Sequence, residues 1–181
     1  MSLLFIACLL YIFADFVDNI LFIERICNME ALDRTDRRIL ENLQIDGKLS
    51  NVELSNRVGL SESACLRRVK NLEKSGVIDR YVAMLNQSKV GLASNVFVRV
   101  SLDRQQEDML LKFEAAVSSV PEVMECYLMS GDVDFMIRVV VHDAPDYERV
   151  HNILCGLPNV SRVHSSFALR TVLKRTRLPL H

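Results

Sequence analysis

Several signals of common protein classes are missing from the 181-residue sequence. It has no tryptophan and only six glycines, and no Gly-x-Gly or Gly-Lys-Ser/Thr sequence that would hold a phosphate. Its five cysteines form no Cys-x-x-Cys pair, and its four histidines lie in separate segments without a nucleophile motif or a full set of metal ligands. We therefore expect no metal site, and the protein is predicted not to be an enzyme.

An excess of one charge is also missing, because 22 Lys and Arg stand against 23 Asp and Glu. This balance excludes a histone-like polycation but not a local basic surface. Residues 29–90 hold eleven basic and nine acidic side chains, so a basic face is expected there. The odd number of widely spaced cysteines favours reduced, mostly buried thiols and a cytoplasmic location.

A long apolar run free of charge is missing as well. Residues 3–14 are all apolar, but Asp15 and Asp18 interrupt the segment before it reaches the roughly 20 apolar residues of a membrane span. It has neither the basic start nor the cleavage site of a secretory signal. We favour the interpretation that residues 1–28 lie upstream of a natural start at Met29, in which case no membrane contact is expected. The alternative is an amphipathic or membrane-tethered arm.

Residues 29–90 show the pattern of a helix-turn-helix domain. An amphipathic helix is predicted from about Asp33 to Asp46. The sequence Ser50-Asn51-Val52-Glu53 is a capping box that begins a second helix, which ends at Gly59. Ser61 caps a third helix that runs to about Ser75. Alternation over residues 77–84 predicts a strand pair, which would make a winged variant.

The third helix has the composition of a recognition helix for double-stranded operator DNA. Cys65, Val69 and Leu72 form its buried stripe, and hydroxyl and basic side chains lie opposite. Small residues at the helix start allow close approach, and guanidinium or ammonium groups reach bases and phosphates. Taken alone, these basic residues also fit an ordinary solvated face. The candidate DNA-binding residues are Ser61, Glu62, Ser63, Arg67, Lys70 and, as second choice near the buried stripe, Arg68.

Residues 91–181 read as a second domain with the element order βαββαβ. Strands are predicted over 95–102, 123–130, 135–141 and about 162–172, with helices over 105–119 and from Pro145. The predicted fold class is α+β, with an N-terminal winged helix-turn-helix domain and a C-terminal ferredoxin-like βαββαβ domain. Since the helices cover one sheet face, we expect apolar side chains on the other face to be buried by sheet-to-sheet dimerisation.

The predicted second and third strands are joined by Gly131-Asp132-Val133-Asp134. From the residues alone, this is an acidic β-turn for which a structural role is sufficient.

Taken together, the motifs resemble the Lrp/AsnC family, the feast/famine transcriptional regulators of bacteria and archaea. The similarity covers residues 30 to about 175, and residues 1–28 have no counterpart in the family pattern. It rests on Leu32-Asp33-x-x-Asp36-x-x-Ile39-Leu40, Leu49-Ser50-Asn51-Val52-Glu53-Leu54-Ser55-x-x-Val58-Gly59-Leu60-Ser61, Cys65-Leu66-x-Arg68-Val69-x-x-Leu72-Glu73-x-x-Gly76-x-Ile78, Gly131-Asp132-x-Asp134 and Leu157-Pro158-x-Val160.

The resemblance implies a transcriptional regulator that binds a free amino acid, such as leucine or methionine, and needs no other cofactor. It also implies homodimers, formed through the second domain and often assembled into octamers, with the amino acid held at the turn where dimers meet. Backbone N–H groups would bind the ligand carboxylate, and Asp132 or Asp134 its ammonium group, unless Asp134 mainly braces the turn. The candidate effector-binding residues are Leu128, Met129, Ser130, Gly131, Asp132 and Asp134.

Two other function classes stay open at this point. The basic third helix argues against a ligand-binding or protein-interaction module without DNA affinity. A membrane-tethered sensor that uses residues 3–23 as a span is opposed by Asp15 and Asp18.

Overall fold

The structure, a computed structural model, describes residues 32–180, which form two units. The first comprises residues 32–82 and 175–180, and the second comprises Ala83–Lys174. The predicted extension, residues 1–28, lies outside the described residues. Among the helices of residues 32–180, none has the length and hydropathy needed to cross a bilayer.

Three capped helices build the first unit: α1 (Arg34–Ile45), α2 (Asn51–Val58) and α3 (Glu62–Lys74). Each predicted cap is formed. The Ser50 hydroxyl accepts from the Glu53 N–H while the Glu53 carboxylate accepts from the Ser50 N–H, which completes the capping box. Ser61 accepts from the Ala64 N–H and so begins α3. These bonds satisfy donors that the first helical turn leaves free.

The core of the first unit lies where the three helices meet. Its buried side chains come from all three helices and include Cys65 and Leu72 of the predicted stripe, and Val69 packs against them while partly exposed. Leu180 also packs against this core, from the end of the described chain. The buried residues are Ile39, Leu40, Leu54, Val58, Cys65 and Leu72.

The strand pair predicted over residues 77–84 is wrong. The Ile78 N–H donates to the Leu72 carbonyl, which turns the chain at the end of α3, and no strand follows before Ser94. Val82 and Met84 are more than half exposed. Alternation produces a strand only where one set of side chains has a core to cover. Here only Ile78 reaches such a core, and it does so partly.

The second unit is the predicted ferredoxin-like βαββαβ fold. A short 3₁₀ helix (Gln87–Val90) is followed by β1 (Ser94–Leu102), α4 (Glu107–Val117), β2 (Val123–Leu128), β3 (Phe135–Val141), α5 (Ala144–Cys155) and β4 (Val160–Phe167). The four strands pair antiparallel in the order β2-β3-β1-β4. The fourth strand begins at Val160 and ends at Phe167, whereas the prediction was about 162–172. The second strand ends at Leu128, two residues before its predicted end.

The helices α4 and α5 cover one face of this sheet. Val96, Val98 and Val100 of β1 are fully buried beneath them, and the rings of Phe113 and Phe135 lie 4.5 Å apart between centroids. Alternate residues of β1 therefore define the buried side of the sheet.

Within residues 32–180, the opposite face of the sheet is partly exposed, and it is less apolar than predicted. Phe97 and Tyr127 are 42% and 55% exposed there. Arg138, opposite Phe97 in the strand register, donates to the Glu125 carboxylate at 2.7 Å and to the Asn95 side chain at 3.0 Å. This open face therefore combines aromatic surface with an ion pair.

The cysteine prediction is wrong for two of the three cysteines in the described part of the chain. Cys65 is buried in the first core, whereas Cys126 and Cys155 are exposed. Cys126 lies on β2, an edge strand of the sheet, and Cys155 is the last residue of α5. Sequence spacing alone did not separate these environments.

The sequence predicts one domain over residues 29–90 and another over residues 91–181. The two units of the structure differ from these domains in two places. The first unit ends at Val82, and it regains residues 175–180. This return is fixed by the Gln44 amide group, which donates to the Leu178 carbonyl and accepts from the Leu178 N–H.

Candidate DNA-binding helix and effector turn

The junction between α2 and α3 sets the direction of the third helix. Gly59 adopts the left-handed conformation, with φ of 72°, which a side chain would strain. The Leu60 N–H donates to the Ser55 carbonyl at 3.0 Å, and the Asn51 side chain donates to the Glu62 carbonyl at 2.9 Å. The starts of α2 and α3 are thereby tied together in a tight helix-turn-helix arrangement.

The surface of α3 opposite its buried stripe is defined here as its outer face. Ser63, Arg67 and Lys70 follow one another along it at steps of four and three residues, and all three are exposed. Within residues 32–180, neither Arg67 nor Lys70 forms an ion pair or a side-chain hydrogen bond. Their positive groups are therefore free to meet phosphates or base edges.

The residues at the start of α3 also form hydrogen bonds within the first unit. The Ser61 hydroxyl caps the helix and lies 3.4 Å from the Ser63 hydroxyl. Glu62 is exposed, and its backbone carbonyl accepts from Asn51. Sequence reasoning missed Asn51 as a positioning residue, since its role depends on a bond across the turn.

Arg68 occupies a different place from the other basic residues of α3. Its guanidinium lies 2.7 Å from a carboxylate oxygen of Asp33 and 2.8 Å from one of Asp36, and its side chain is only 29% exposed. The Asp36 N–H, and then the Arg68 guanidinium, hold the pKa of Asp33 below its ordinary value. Arg68 therefore connects α3 to the start of α1. The sequence predicted Arg68 as a second-choice DNA contact and did not predict these ion pairs.

Substituting Arg68 with alanine is expected to lower the free energy of unfolding by about 1 kcal/mol, since the side chain is partly exposed and its two ion pairs are partly screened. Equilibrium urea unfolding measures this. Arg67→Ala is the matched control, because Arg67 has no partner in the described residues and should cost less than about 0.5 kcal/mol. Equal stability of the two variants would show that the Arg68 ion pairs contribute nothing.

The turn between β2 and β3 is closed by backbone hydrogen bonds at both ends. The Met129 N–H donates to the Asp134 carbonyl at 2.8 Å, and the Asp134 N–H donates to the Val100 carbonyl at 3.0 Å. Gly131 has φ of 147°, a conformation that L side chains rarely adopt.

The two aspartates of the turn have different surroundings. Asp134 is 7% exposed, and its carboxylate accepts from the Leu102 N–H and from the Gln105 side chain, each at 2.7 Å. Both of its oxygens are thus engaged, and it braces the turn against the end of β1. Asp134 is therefore not placed to bind an ammonium group, the alternative role that the resemblance suggested. No sequence pattern indicated the role of Gln105, which lies 29 residues from Asp134.

Asp132 is exposed and forms no side-chain hydrogen bond or ion pair within residues 32–180. The N–H groups of residues 130–133 likewise have no acceptor in this part of the chain. Leu128 and Met129, 59% and 41% exposed, provide apolar surface just before the turn. The turn thus combines free donors, one free carboxylate and apolar side chains, the groups that a zwitterionic amino acid requires.

Two models of known protein families match this chain, one in each unit. Residues 32–79 match a family model described as winged helix-turn-helix DNA-binding, and residues 95–178 match one described as Lrp/AsnC ligand binding domain. The chain belongs to the Lrp/AsnC family of transcriptional regulators. The predicted family membership is confirmed, together with the prediction that the protein is a regulator and not an enzyme.

Individual relatives and solved structures are similar to this chain over most of its length. The chain is 43% identical over 153 residues to the Bkd operon transcriptional regulator of Pseudomonas aeruginosa, covering 84% of this chain and 100% of that one. It is 42% identical over 148 residues to the leucine-responsive regulatory protein of Salmonella typhimurium, covering 81% and 90%. A transcriptional regulator from Neisseria meningitidis, solved with L-methionine, superposes with a TM-score of 0.78 at 40% identity, covering 82% and 96%.

A feast or famine regulatory protein from M. tuberculosis, also complexed with L-methionine, has a TM-score of 0.74 at 31% identity and covers 82% of this chain and 99% of that one. Both protein complexes contain an amino acid with an apolar side chain. The chain described here is accordingly a DNA-binding transcriptional regulator of the Lrp/AsnC family with a ligand-binding domain.

Proposed function

We propose that this regulator reads its operator with the outer face of α3 and responds to a free amino acid bound at the β2–β3 turn. The observation that supports the first half most directly is the exposure of Arg67 and Lys70 opposite the stripe that packs into the core. A helix so exposed fits the major groove, where its first turns meet base edges. Arg67 is assigned to a base, because a guanidinium can bond two acceptors of guanine at once, and Lys70 to a base or a phosphate.

The proposed effector is an amino acid with an apolar side chain, such as leucine or methionine. Its carboxylate would accept from the N–H groups of Ser130 and Gly131, its ammonium would pair with Asp132, and its side chain would pack against Leu128 and Met129. The proposal is supported by the free donors and carboxylate of this turn, and by the L-methionine bound to the two similar regulators. The partial apolar lining agrees with such a side chain.

We further propose that two chains pair through the open sheet face, and that dimers assemble into octamers. Phe97 and Tyr127 would be the apolar centre of the dimer contact, with the Arg138–Glu125 pair beside them. A two-fold dimer would present two copies of α3 about 34 Å apart, or a multiple of that distance. The effector would act by shifting the balance between dimer and octamer. Because its partner is operator DNA, the protein is placed in the cytoplasm.

Asp132→Asn is expected to weaken binding of L-leucine or L-methionine by at least about tenfold, because a charge-assisted hydrogen bond to the ammonium is lost. Isothermal titration calorimetry on the full chain measures the effect. Asp103→Asn is the matched control, since the Asp103 side chain is exposed and forms no bond within residues 32–180. If Asp132→Asn bound both amino acids as tightly as the unmodified chain, the assignment of the ammonium partner would be refuted.

The dimeric arrangement on DNA is tested by hydroxyl-radical footprinting. The full chain would first select its operator from a random-sequence DNA pool. We expect two protected patches whose centres are about 10 base pairs, or a multiple of that, apart. One isolated patch on every selected sequence would contradict the two-fold arrangement.

A further inference from the structure

One large apolar side chain of α3 takes no part in the core of the first unit. Leu66 is 43% exposed, whereas Cys65 and Leu72 are 0% and 5% exposed and Val69 packs against the core. No other large apolar residue within Glu62–Lys74 is exposed to this extent. Leu66 is therefore partly exposed to solvent and lies outside the core of the first unit.

Its position along the helix places Leu66 among the proposed DNA contacts. Ser63 lies three residues before it, Arg67 directly after it, and Lys70 four residues after it. Side chains three and four residues apart are neighbours on a helix surface. Leu66 therefore adjoins Ser63 and Lys70 at the edge of the outer face, beside the proposed DNA contacts.

The major groove offers one apolar group to such a side chain, the 5-methyl group of thymine. Against a phosphate or a polar base edge, a leucine would displace water without replacing its hydrogen bonds. Contact with a methyl group instead removes apolar surface of both partners from water. The chemistry of Leu66 therefore selects thymine among the groups that line the groove.

We propose that Leu66 is a specificity-determining residue that contacts the methyl group of a thymine in each operator half-site. The inference rests on the proposed placement of α3 in the major groove and adds a second base preference to that of Arg67. One helical turn rises about 5.4 Å, and successive base pairs are about 3.4 Å apart. The thymine is therefore expected within about two base pairs of the base that Arg67 or Lys70 contacts.

The test replaces the thymines of the selected operator with deoxyuridine one at a time, which removes only the methyl group. Fluorescence anisotropy then gives the Kd of the full chain and of Leu66→Ala on each DNA. For the unmodified chain we expect one position in each half-site where the replacement weakens binding about fourfold, the effect of exposing one buried methyl group. Leu66→Ala should bind thymine and deoxyuridine equally at that position, which is the coupling that a double-mutant cycle measures.

Val77→Ala is the matched control, because Val77 is 45% exposed in the same unit but lies beyond the end of α3. It should retain the full deoxyuridine effect. Urea unfolding of Leu66→Ala should match that of the unmodified chain, since Leu66 lies outside the core. An equal deoxyuridine effect in Leu66→Ala and the unmodified chain at every position, or no effect in either, would overturn the role of Leu66. Failure of the unmodified chain to prefer any selected operator over random DNA would instead overturn the proposed function itself.

Discussion

Arg67→Ala is expected to weaken binding to the selected operator by about 1–3 kcal/mol, and binding to random DNA much less. Arg67 is exposed on the outer face of α3 and has no ion-pair partner among residues 32–180. Its fork of donors can bind two acceptors of one guanine, and alanine leaves both without a partner. The variant should also accept other bases at that position.

Anisotropy titrations with the operator, a random fragment and operators changed at single positions measure both effects. Arg104→Ala is the control: Arg104 is exposed, belongs to the second unit and forms no side-chain bond in the described residues. It should leave the preference for operator over random DNA unchanged. If Arg67→Ala weakened binding to operator and random DNA by the same factor, Arg67 would contact the phosphate backbone and not a base.

Asp134→Ala is expected to lower the free energy of unfolding by about 2–3 kcal/mol and to weaken amino-acid binding as well. The substitution leaves the N–H of Leu102, a residue that is 7% exposed, without its acceptor, and it frees the Gln105 side chain. A buried donor that loses its partner costs about 1–3 kcal/mol, and bonds to a charged acceptor lie in the upper part of that range. The turn would also lose its connection to the end of β1.

Urea unfolding and calorimetry separate the two aspartates of the turn. Asp132→Ala should unfold within about 0.5 kcal/mol of the unmodified chain, because Asp132 is exposed and unpaired in the described residues. It should nevertheless bind the amino acid poorly. Asp134→Ala should be affected in both measurements. An Asp134→Ala variant as stable as Asp132→Ala would contradict the bracing role.

The features that the sequence predicted well depend on neighbours within a few residues. Ser50 with Glu53, and Ser61 with Ala64, form their caps across three residues, so the starts of α2 and α3 follow from local chemistry. The alternating valines of β1 likewise indicate its buried side directly. The fold class could therefore be predicted from patterns alone.

The features that the sequence did not reveal depend on partners far along the chain. Arg68 meets Asp33 and Asp36 across 35 and 32 residues, and Asp134 meets Gln105 across 29. No spacing rule links such positions. From the sequence alone, Arg68 is therefore a candidate for contact with DNA, and Asp134 is a candidate for contact with the amino acid. The same limit explains the wrong prediction for residues 77–84, because alternation does not show whether a core or a partner strand is present.

The most direct test of the account is a fluorescence-anisotropy titration of the full chain against its selected operator and a random fragment. It is run at two salt concentrations, with and without a panel of amino acids that includes L-leucine and L-methionine. We expect salt-sensitive binding that is tighter for the operator and that shifts with one of the apolar amino acids. Binding that never exceeds that of random DNA, under any of these conditions, would contradict the central claim that this chain is an operator-specific regulator.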